Sequence, residues 1–184
     1  MDDKKWIHAI AIGLICFILV AGTFAPQEQQ ATLYVSSFGF LALLTIIFVL
    51  AIPVLVQFNK SAFFLKALAN RRWIGIYSFI FAFIHILLVL HFFFNWDISQ
   101  IQLIPFGVAT FAILIVLTAT SNDWAVKILG RNWKKLQMLT YLALLLALVH
   151  FVSNGQIFAK EIAIVAIVLL IVAVVLILKW KPKK

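Results

Sequence analysis

Six long apolar stretches limit the fold of this chain more strongly than any other feature. They cover residues 6–25, 32–58, 73–95, 101–120, 136–153 and 157–179. Each is close to or longer than the roughly 20 residues with which an α-helix crosses about 30 Å of hydrocarbon. A soluble domain could not build a polar surface when 65% of its residues are hydrophobic and only 11% are charged. We therefore predict a single all-α integral membrane domain over residues 1–184, a bundle of six transmembrane helices.

The basic residues predict how this bundle is oriented. All lysines and arginines except Lys160 lie before the first stretch, in alternate loops, or at and beyond the end of the last stretch. Cytoplasmic loops carry an excess of these residues, so both termini are predicted to be cytoplasmic. The formal net charge of +9 is then explained by topology and by contact with anionic membrane lipid, and no nucleic-acid partner is expected.

Two histidines lie deep within apolar stretches. At a rise of about 1.5 Å per residue, His85 lies about 20 Å from Arg72 and His150 about 22 Å from Lys135. The third and fifth stretches run in the same direction, so the two histidines should reach the same depth. Ionisable residues inside a membrane usually face the bundle interior and have a partner. Because neutral imidazole is a good axial ligand for haem iron, the pair predicts a haem between these stretches; hydrogen bonds to backbone or hydroxyl groups are the alternative.

The other two histidines are predicted to be interfacial. His8 lies at the start of the first stretch, and His91 lies near the end of the third. His91 follows His85 by six residues, which places it about 120° around the helix and away from the same face. A zinc site is not expected, because the third and fifth stretches have no carboxylate or thiolate at the depth of His85 and His150.

Two segments carry a resemblance to a known family. "RRWIGIYSFIFAFIH" and "TSNDWAVKILGRNWKKLQMLTYLALLLALVHF" resemble motifs of the MsrQ (YedZ) family within the ferric-reductase-like transmembrane superfamily. The resemblance implies a haem b membrane subunit of a bacterial inner membrane, with His85 and His150 as the axial ligands of the haem iron. It also implies an FMN cofactor, a cytoplasmic flavin reductase or the quinone pool as electron donor, and an outer-face molybdenum enzyme that reduces methionine sulfoxide as acceptor.

The chain departs from the resembled pattern at Gln137, where the family has a second histidine of the fifth stretch. Glutamine is a poor axial ligand, and at this level the third stretch offers only Arg71 and Arg72, so a second bis-histidine haem is not expected. These three residues are instead candidates for binding a flavin phosphate, a quinone head group or a haem propionate, since arginine pairs well with planar anions. The alternative is that both arginines only set the topology.

The resulting functional hypothesis is an electron-transfer subunit of an oxidoreductase system, not a complete enzyme. The sequence contains no catalytic constellation for methionine sulfoxide chemistry, so that activity would belong to another chain. A stand-alone ferric or quinone reductase differs from this hypothesis only in its acceptor. A cofactor-free carrier or scaffold, in which the histidines line a pathway, is the alternative from another class.

Overall fold

The computed structural model describes residues 4–154 and 162–180, and all regular structure in those ranges is helical. The predicted all-α class is therefore confirmed for the described residues. A short 3-10 helix, Ile98–Leu103, accompanies the α-helices. The α-helices are α1 (Lys5–Thr23), α2 (Gln27–Phe58), α3 (Ala62–Ala69), α4 (Arg71–Phe92), α5 (Pro105–Ala119), α6 (Asp123–Leu129), α7 (Arg131–Gln137), α8 (Leu139–Asn154) and α9 (Ile162–Trp180).

The described helices are those of a multi-pass integral membrane protein. By length and composition, α1, α2, α4 and the consecutive pair α7–α8 can each cross a bilayer. Helices α5 and α6 would form a fifth span together, but they meet at an angle of 91°. The apolar part described for α9, Ile164–Leu178, is shorter, and the start of the predicted sixth stretch at 157–161 lies outside the described residues. The six-span count and the cytoplasmic termini stay predictions.

The predicted fourth stretch, 101–120, begins earlier than the helix that it contains. Pro105 occupies the first turn of α5, where its missing N–H breaks no helical hydrogen bond. The preceding 3-10 helix is capped by Asp97, whose carboxylate accepts hydrogen bonds from the Ser99 hydroxyl, the Ser99 N–H and the Gln100 amide. These hydrogen bonds, the Ser99 hydroxyl first, lower the pKa of Asp97 below its usual value.

Helix α2 is the central element of the bundle. It packs along α4 and also contacts α1, α3, α8 and α9, while α5 packs mainly against α8. Its side chains include the almost fully buried Phe38, Leu50 and Ile52. A polar cross-link joins the main pair, because the buried Ser78 hydroxyl on α4 donates to the Ala42 carbonyl on α2 at 3.1 Å. Close packing and such interhelical hydrogen bonds hold helices together where lipid leaves little hydrophobic driving force.

The second resembled motif builds the sharp turns between α5, α6 and α7. Asn122 caps α6 by accepting a hydrogen bond from the Ala125 N–H at 2.8 Å. The Trp133 indole donates to the Thr120 carbonyl at 2.9 Å and so ties α7 to the end of α5. Gly130 joins α6 to α7 with φ +49° and ψ −121°, a conformation that residues with a side chain rarely adopt. These contacts hold α6 and α7 against the ends of the spanning helices.

The backbone at Gly130 makes a direct prediction. A Cβ added there meets no atom within 4 Å, so the effect of Gly130→Ala comes from backbone strain alone, about 1–3 kcal/mol. We expect a lower midpoint of thermal unfolding for the purified protein in detergent. Gly13→Ala is the matched control, because its Cβ also meets nothing within 4 Å and its φ is not positive. Equal unfolding midpoints for the two variants would contradict the positive φ at Gly130.

Candidate functional site

The imidazole rings of His85 on α4 and His150 on α8 lie side by side. Their centroids are 6.2 Å apart and their planes differ by 76°. A metal–nitrogen bond is about 2.0 Å and a ring nitrogen lies about 1.1 Å from its ring centre, so imidazoles on opposite sides of one metal ion have centroids about 6 Å apart. The ring separation in this structure is close to that distance.

A hydrogen bond to α2 fixes the tautomer of His85. Its Nδ1 lies 2.8 Å from the carbonyl oxygen of Val35. A carbonyl can only accept, so Nδ1 carries the hydrogen, and in the neutral ring the free lone pair belongs to Nε2. Histidines that bind metals usually donate their other nitrogen to a carbonyl or carboxylate in this way. Val35 therefore leaves His85 ready to act as a ligand through Nε2.

The ring nitrogens of His150 have fewer hydrogen-bond partners than those of His85. Nδ1 of His150 is buried without a hydrogen-bond partner. The Asn154 side chain, one turn further along α8, lies near the His150 ring but forms no hydrogen bond with Nδ1. An unsatisfied polar group of this kind costs about 1–3 kcal/mol and is expected where a bound group completes the site. The orphaned nitrogen therefore indicates a site that a ligand would complete.

Two glycines let the histidine rings pack directly against helix backbones. A Cβ added to Gly39 on α2 would lie 2.8 Å from Cε1 and Nδ1 of His85. A Cβ added to Gly107 on α5 would lie 2.9 Å from Cε1 of His150. Sequence reasoning missed both positions; their only sign was a glycine inside an apolar helix, which can mark a close helix approach.

The two histidines line an apolar cavity between α2, α4, α5 and α8, which we call the histidine cavity. Phe40, Phe111 and Phe151 are among its walls. Its volume is about 120 Å³. Pockets for cofactor-sized ligands usually hold about 300–1,000 Å³, so the rings and nearby side chains would have to move outward to admit one.

The chemistry of this cavity fits a haem better than a bare metal ion. Zinc takes three or four protein ligands, whereas haem iron already has four ligands from its macrocycle and needs only axial ones. Within residues 4–154 and 162–180, no three His, Cys, Asp or Glu residues cluster in a way that could hold a metal ion. Two imidazoles and apolar walls are the groups that a flat apolar macrocycle with an iron centre requires.

The other two histidines lie outside the histidine cavity. Nδ1 of His8 lies 2.7 Å from the Tyr77 hydroxyl, a hydrogen bond that connects α1 to α4. The His91 ring packs edge-on against Phe92 and also contacts Trp96. Each therefore has a structural partner of its own.

Arg71, Arg72 and Gln137 line a second cavity, of about 480 Å³, which we call the basic cavity. The Gln137 Nε2 is buried there without a hydrogen-bond partner. Arg72 forms a salt bridge with Asp123 at 2.5 Å, and its guanidinium lies 5.9 Å from the centre of the Trp133 ring. No histidine is among the described residues that line this cavity. The structure thus brings the three candidate residues together without offering an imidazole for a second haem.

Comparison with known proteins gives two findings. Residues 36–148 match the family described as the ferric reductase like transmembrane component, a region that includes His85 and ends two residues before His150. The protein-methionine-sulfoxide reductase heme-binding subunits MsrQ of Brucella ovis, Brucella canis and Brucella suis are each 33% identical to this chain over 101 residues. Each match covers 51% of this chain and 46% of the relative, so the chain spans about half the length of these curated relatives.

The contact between Gly39 and His85 makes a prediction. The Cβ of Gly39→Ala would push the imidazole away from the Val35 carbonyl, and overpacking of this kind costs about 1–3 kcal/mol. The midpoint of thermal unfolding in detergent should fall. Gly75→Ala on α4 is the control, because a Cβ there meets nothing within 4 Å. The proposed packing would be wrong if Gly39→Ala were as stable as Gly75→Ala.

Proposed function

The chain belongs to the ferric reductase like transmembrane family, and on this premise we propose that it is a haem b subunit that transfers electrons across a bacterial inner membrane. The observation that carries the proposal is the pair of imidazoles, His85 and His150, which lie 6.2 Å apart in the wall of an apolar cavity. The MsrQ relatives, which are named heme-binding subunits, support the same cofactor. The match covers about half the length of those relatives. The activity and partners of the relatives are therefore part of our proposal for this chain.

Each residue of the site would have a separate role toward a bound haem. A bound haem b would supply a one-electron iron couple. His85 would ligate through Nε2, which the Val35 carbonyl leaves free, and His150 would ligate from the opposite helix. Phe40, Phe151 and the other apolar walls would exclude water. With both His85 and His150 holding its iron, the haem group would supply electron transfer and not catalysis on a bound substrate.

We place the electron donor at the basic cavity and the acceptor at the far end of the bundle. Arg71 and His85 are fourteen residues apart on α4, about 21 Å along the helix axis. With six spans and cytoplasmic termini, the basic cavity would face the cytoplasm and receive electrons from a flavin reductase through FMN, or from a quinone. The acceptor would be an outer-face molybdenum enzyme that reduces methionine sulfoxide. The name of the MsrQ relatives includes a protein-methionine-sulfoxide reductase, which supports a partner of that activity.

A stand-alone ferric reductase is the second candidate, favoured by the description of the matched family. It differs only in the acceptor, so the two can be separated with one protein sample. Dithionite-reduced protein, freed of excess dithionite, would be mixed with a ferric chelate. Rapid return of the oxidised spectrum without a partner protein would favour the stand-alone reductase, and slow return would favour a dedicated partner.

The histidine pair predicts the spectrum of the purified protein. Wild type in detergent should show a Soret band that shifts on reduction with dithionite. His85→Ala and His150→Ala should each lose most of the bound haem, because each removes one axial ligand of the same iron. His8→Ala and His91→Ala are controls that should retain it, since both residues lie outside the cavity. A wild type without a Soret band would instead favour the cofactor-free carrier.

The topology can be tested independently of haem. In a Cys16→Ser background, we expect Lys60→Cys and Lys127→Cys to be labelled only from the cytoplasmic side. Asp97→Cys should react with a membrane-impermeant reagent added from outside. The reason is that basic loops stay on the cytoplasmic side during insertion. The opposite labelling pattern would reverse the proposed direction of electron transfer.

A further inference from the structure

We propose that another cavity, between α1, α2, α3 and α4, binds one ester-linked acyl chain of a membrane glycerolipid, whose ester carbonyl accepts a hydrogen bond from the Trp6 indole. We call it the acyl cavity. Trp6, Ile10 and Leu14 line it from α1, Phe48 from α2 and Phe63 from α3. It shares no described lining residue with the histidine cavity or the basic cavity. The inference therefore does not depend on a bound haem.

The Trp6 indole has a buried N–H without an acceptor. Its Nε1 forms no hydrogen bond with any residue that the structure describes. The ring packs against Phe63, with the two ring centroids 5.8 Å apart. An indole N–H can only donate, and buried indoles usually find an acceptor. The group that completes this part of the cavity therefore has to bring one.

The other polar side chains of the acyl cavity already have partners. The Thr45 hydroxyl donates to the Leu41 carbonyl at 2.6 Å. The Tyr77 hydroxyl forms its hydrogen bond with Nδ1 of His8 at 2.7 Å. None of the described residues that line the cavity is charged. The part of the ligand that lies inside is therefore uncharged and has one acceptor.

The shape of the acyl cavity suits a chain. Its volume is about 280 Å³. Trp6 and Leu14 are eight residues apart on α1, which is about 12 Å along the helix axis. Beyond Trp6 the walls are apolar, with Ile10 on α1, Phe48 on α2 and Phe81 on α4 among them. The matching ligand is thus apolar along most of its length and has its acceptor at the Trp6 end.

The position of Trp6 selects an ester carbonyl as that acceptor. Helix α1 can cross a bilayer, and Trp6 lies in its first turn. Tryptophans at the ends of spans lie at the level of the lipid head groups, next to the boundary between head groups and acyl chains. Ile10 and Leu14 are 52% and 36% exposed, so the cavity is open to the side that faces lipid. A lipid could therefore enter sideways, with its carbonyl at Trp6 and its chain along α1.

The hydrogen bond is what would make this lipid site selective. Lipid chains are as apolar as the cavity walls, so burying a chain there gains little over leaving it in the bilayer. A quinone ring fits less well, because it has carbonyls on two opposite edges. The described lining residues leave only the Trp6 N–H unpaired, and the second carbonyl would be buried without a donor.

The test uses purified full-length protein in detergent and isolates the ester carbonyl. Native mass spectrometry measures how strongly the protein retains dioleoylphosphatidylcholine and the diether analogue, which has the same head group and chains but no carbonyl. We expect the ester lipid to be retained roughly two- to tenfold more strongly, which is the contribution of one hydrogen bond between neutral groups. Equal retention of the two lipids would overturn the proposal.

Variants connect this preference to the acyl cavity. Trp6→Phe keeps an aromatic ring and removes the N–H, so the preference for the ester should disappear. Trp124→Phe is the matched control, because Trp124 is exposed and does not line the cavity. Ile10→Trp should fill the cavity and abolish retention of both lipids. Ile12→Trp is its control, because Ile12 is similarly exposed, at 57%, but does not line the cavity.

Two results with these variants would contradict the proposal. An unchanged ester preference in Trp6→Phe would exclude the hydrogen bond, and unchanged retention in Ile10→Trp would place the lipid elsewhere. Decylubiquinone is added as a competitor to wild type and to Ile12→Trp. Displacement of the ester lipid by an equal concentration of this quinone would make the occupant a quinone and overturn the assignment.

The haem proposal and this inference fail separately. The Soret band is recorded on every sample, and Trp6→Phe and Ile10→Trp should retain it because neither residue lines the histidine cavity. His85→Ala should lose haem and keep the preference for the ester lipid, since His85 does not line the acyl cavity. Loss of that preference in His85→Ala would contradict an independent lipid site.

Discussion

The arrangement of the bundle depends on the cost of removing two imidazole rings from water. A polar group buried without a hydrogen bond costs about 1–3 kcal/mol in proteins. His85 avoids that cost through the Val35 carbonyl, whereas His150 keeps an unpartnered Nδ1. Gly39 and Gly107 allow each ring to lie against a neighbouring helix backbone. Four helices are thus brought into contact around two side chains, and one ring nitrogen is left for a ligand to satisfy.

The bundle places two cavities of different chemistry along α2, α4 and α5. The histidine cavity is apolar and contains two groups that can donate lone pairs to a metal. The basic cavity is larger and presents hydrogen-bond donors and positive charge. Since Ile46 and Leu114 separate the two, a ligand in one lies close to a ligand in the other. This proximity gives the proposed electron path a physical basis within a single chain.

Part of this arrangement could be predicted from the sequence because it depends on local geometry. The rise of a helix sets the depth of a residue along its axis, so comparing depths was enough to pair His85 with His150. Counting apolar residues identified the all-helical membrane class but not where the helices begin and end. Pro105 begins a helix where a continuous span was expected, and α5 turns through 91° into α6. Those breaks depend on a helix cap at Asn122 and a turn at Gly130. A count of apolar residues cannot detect either feature.

The sequence by itself determined the class of the protein, the pairing of His85 with His150 by their matched positions along their helices, and the glutamine at position 137. Apolar length and helix rise are properties of a single segment, which is why those conclusions needed no partner helix. Only the tertiary structure decided which nitrogen of His85 is free, which glycines face the rings and which donors of the basic cavity stay unpaired. These features depend on how each helix is rotated about its axis and how closely it approaches its neighbours, which packing across the whole bundle determines.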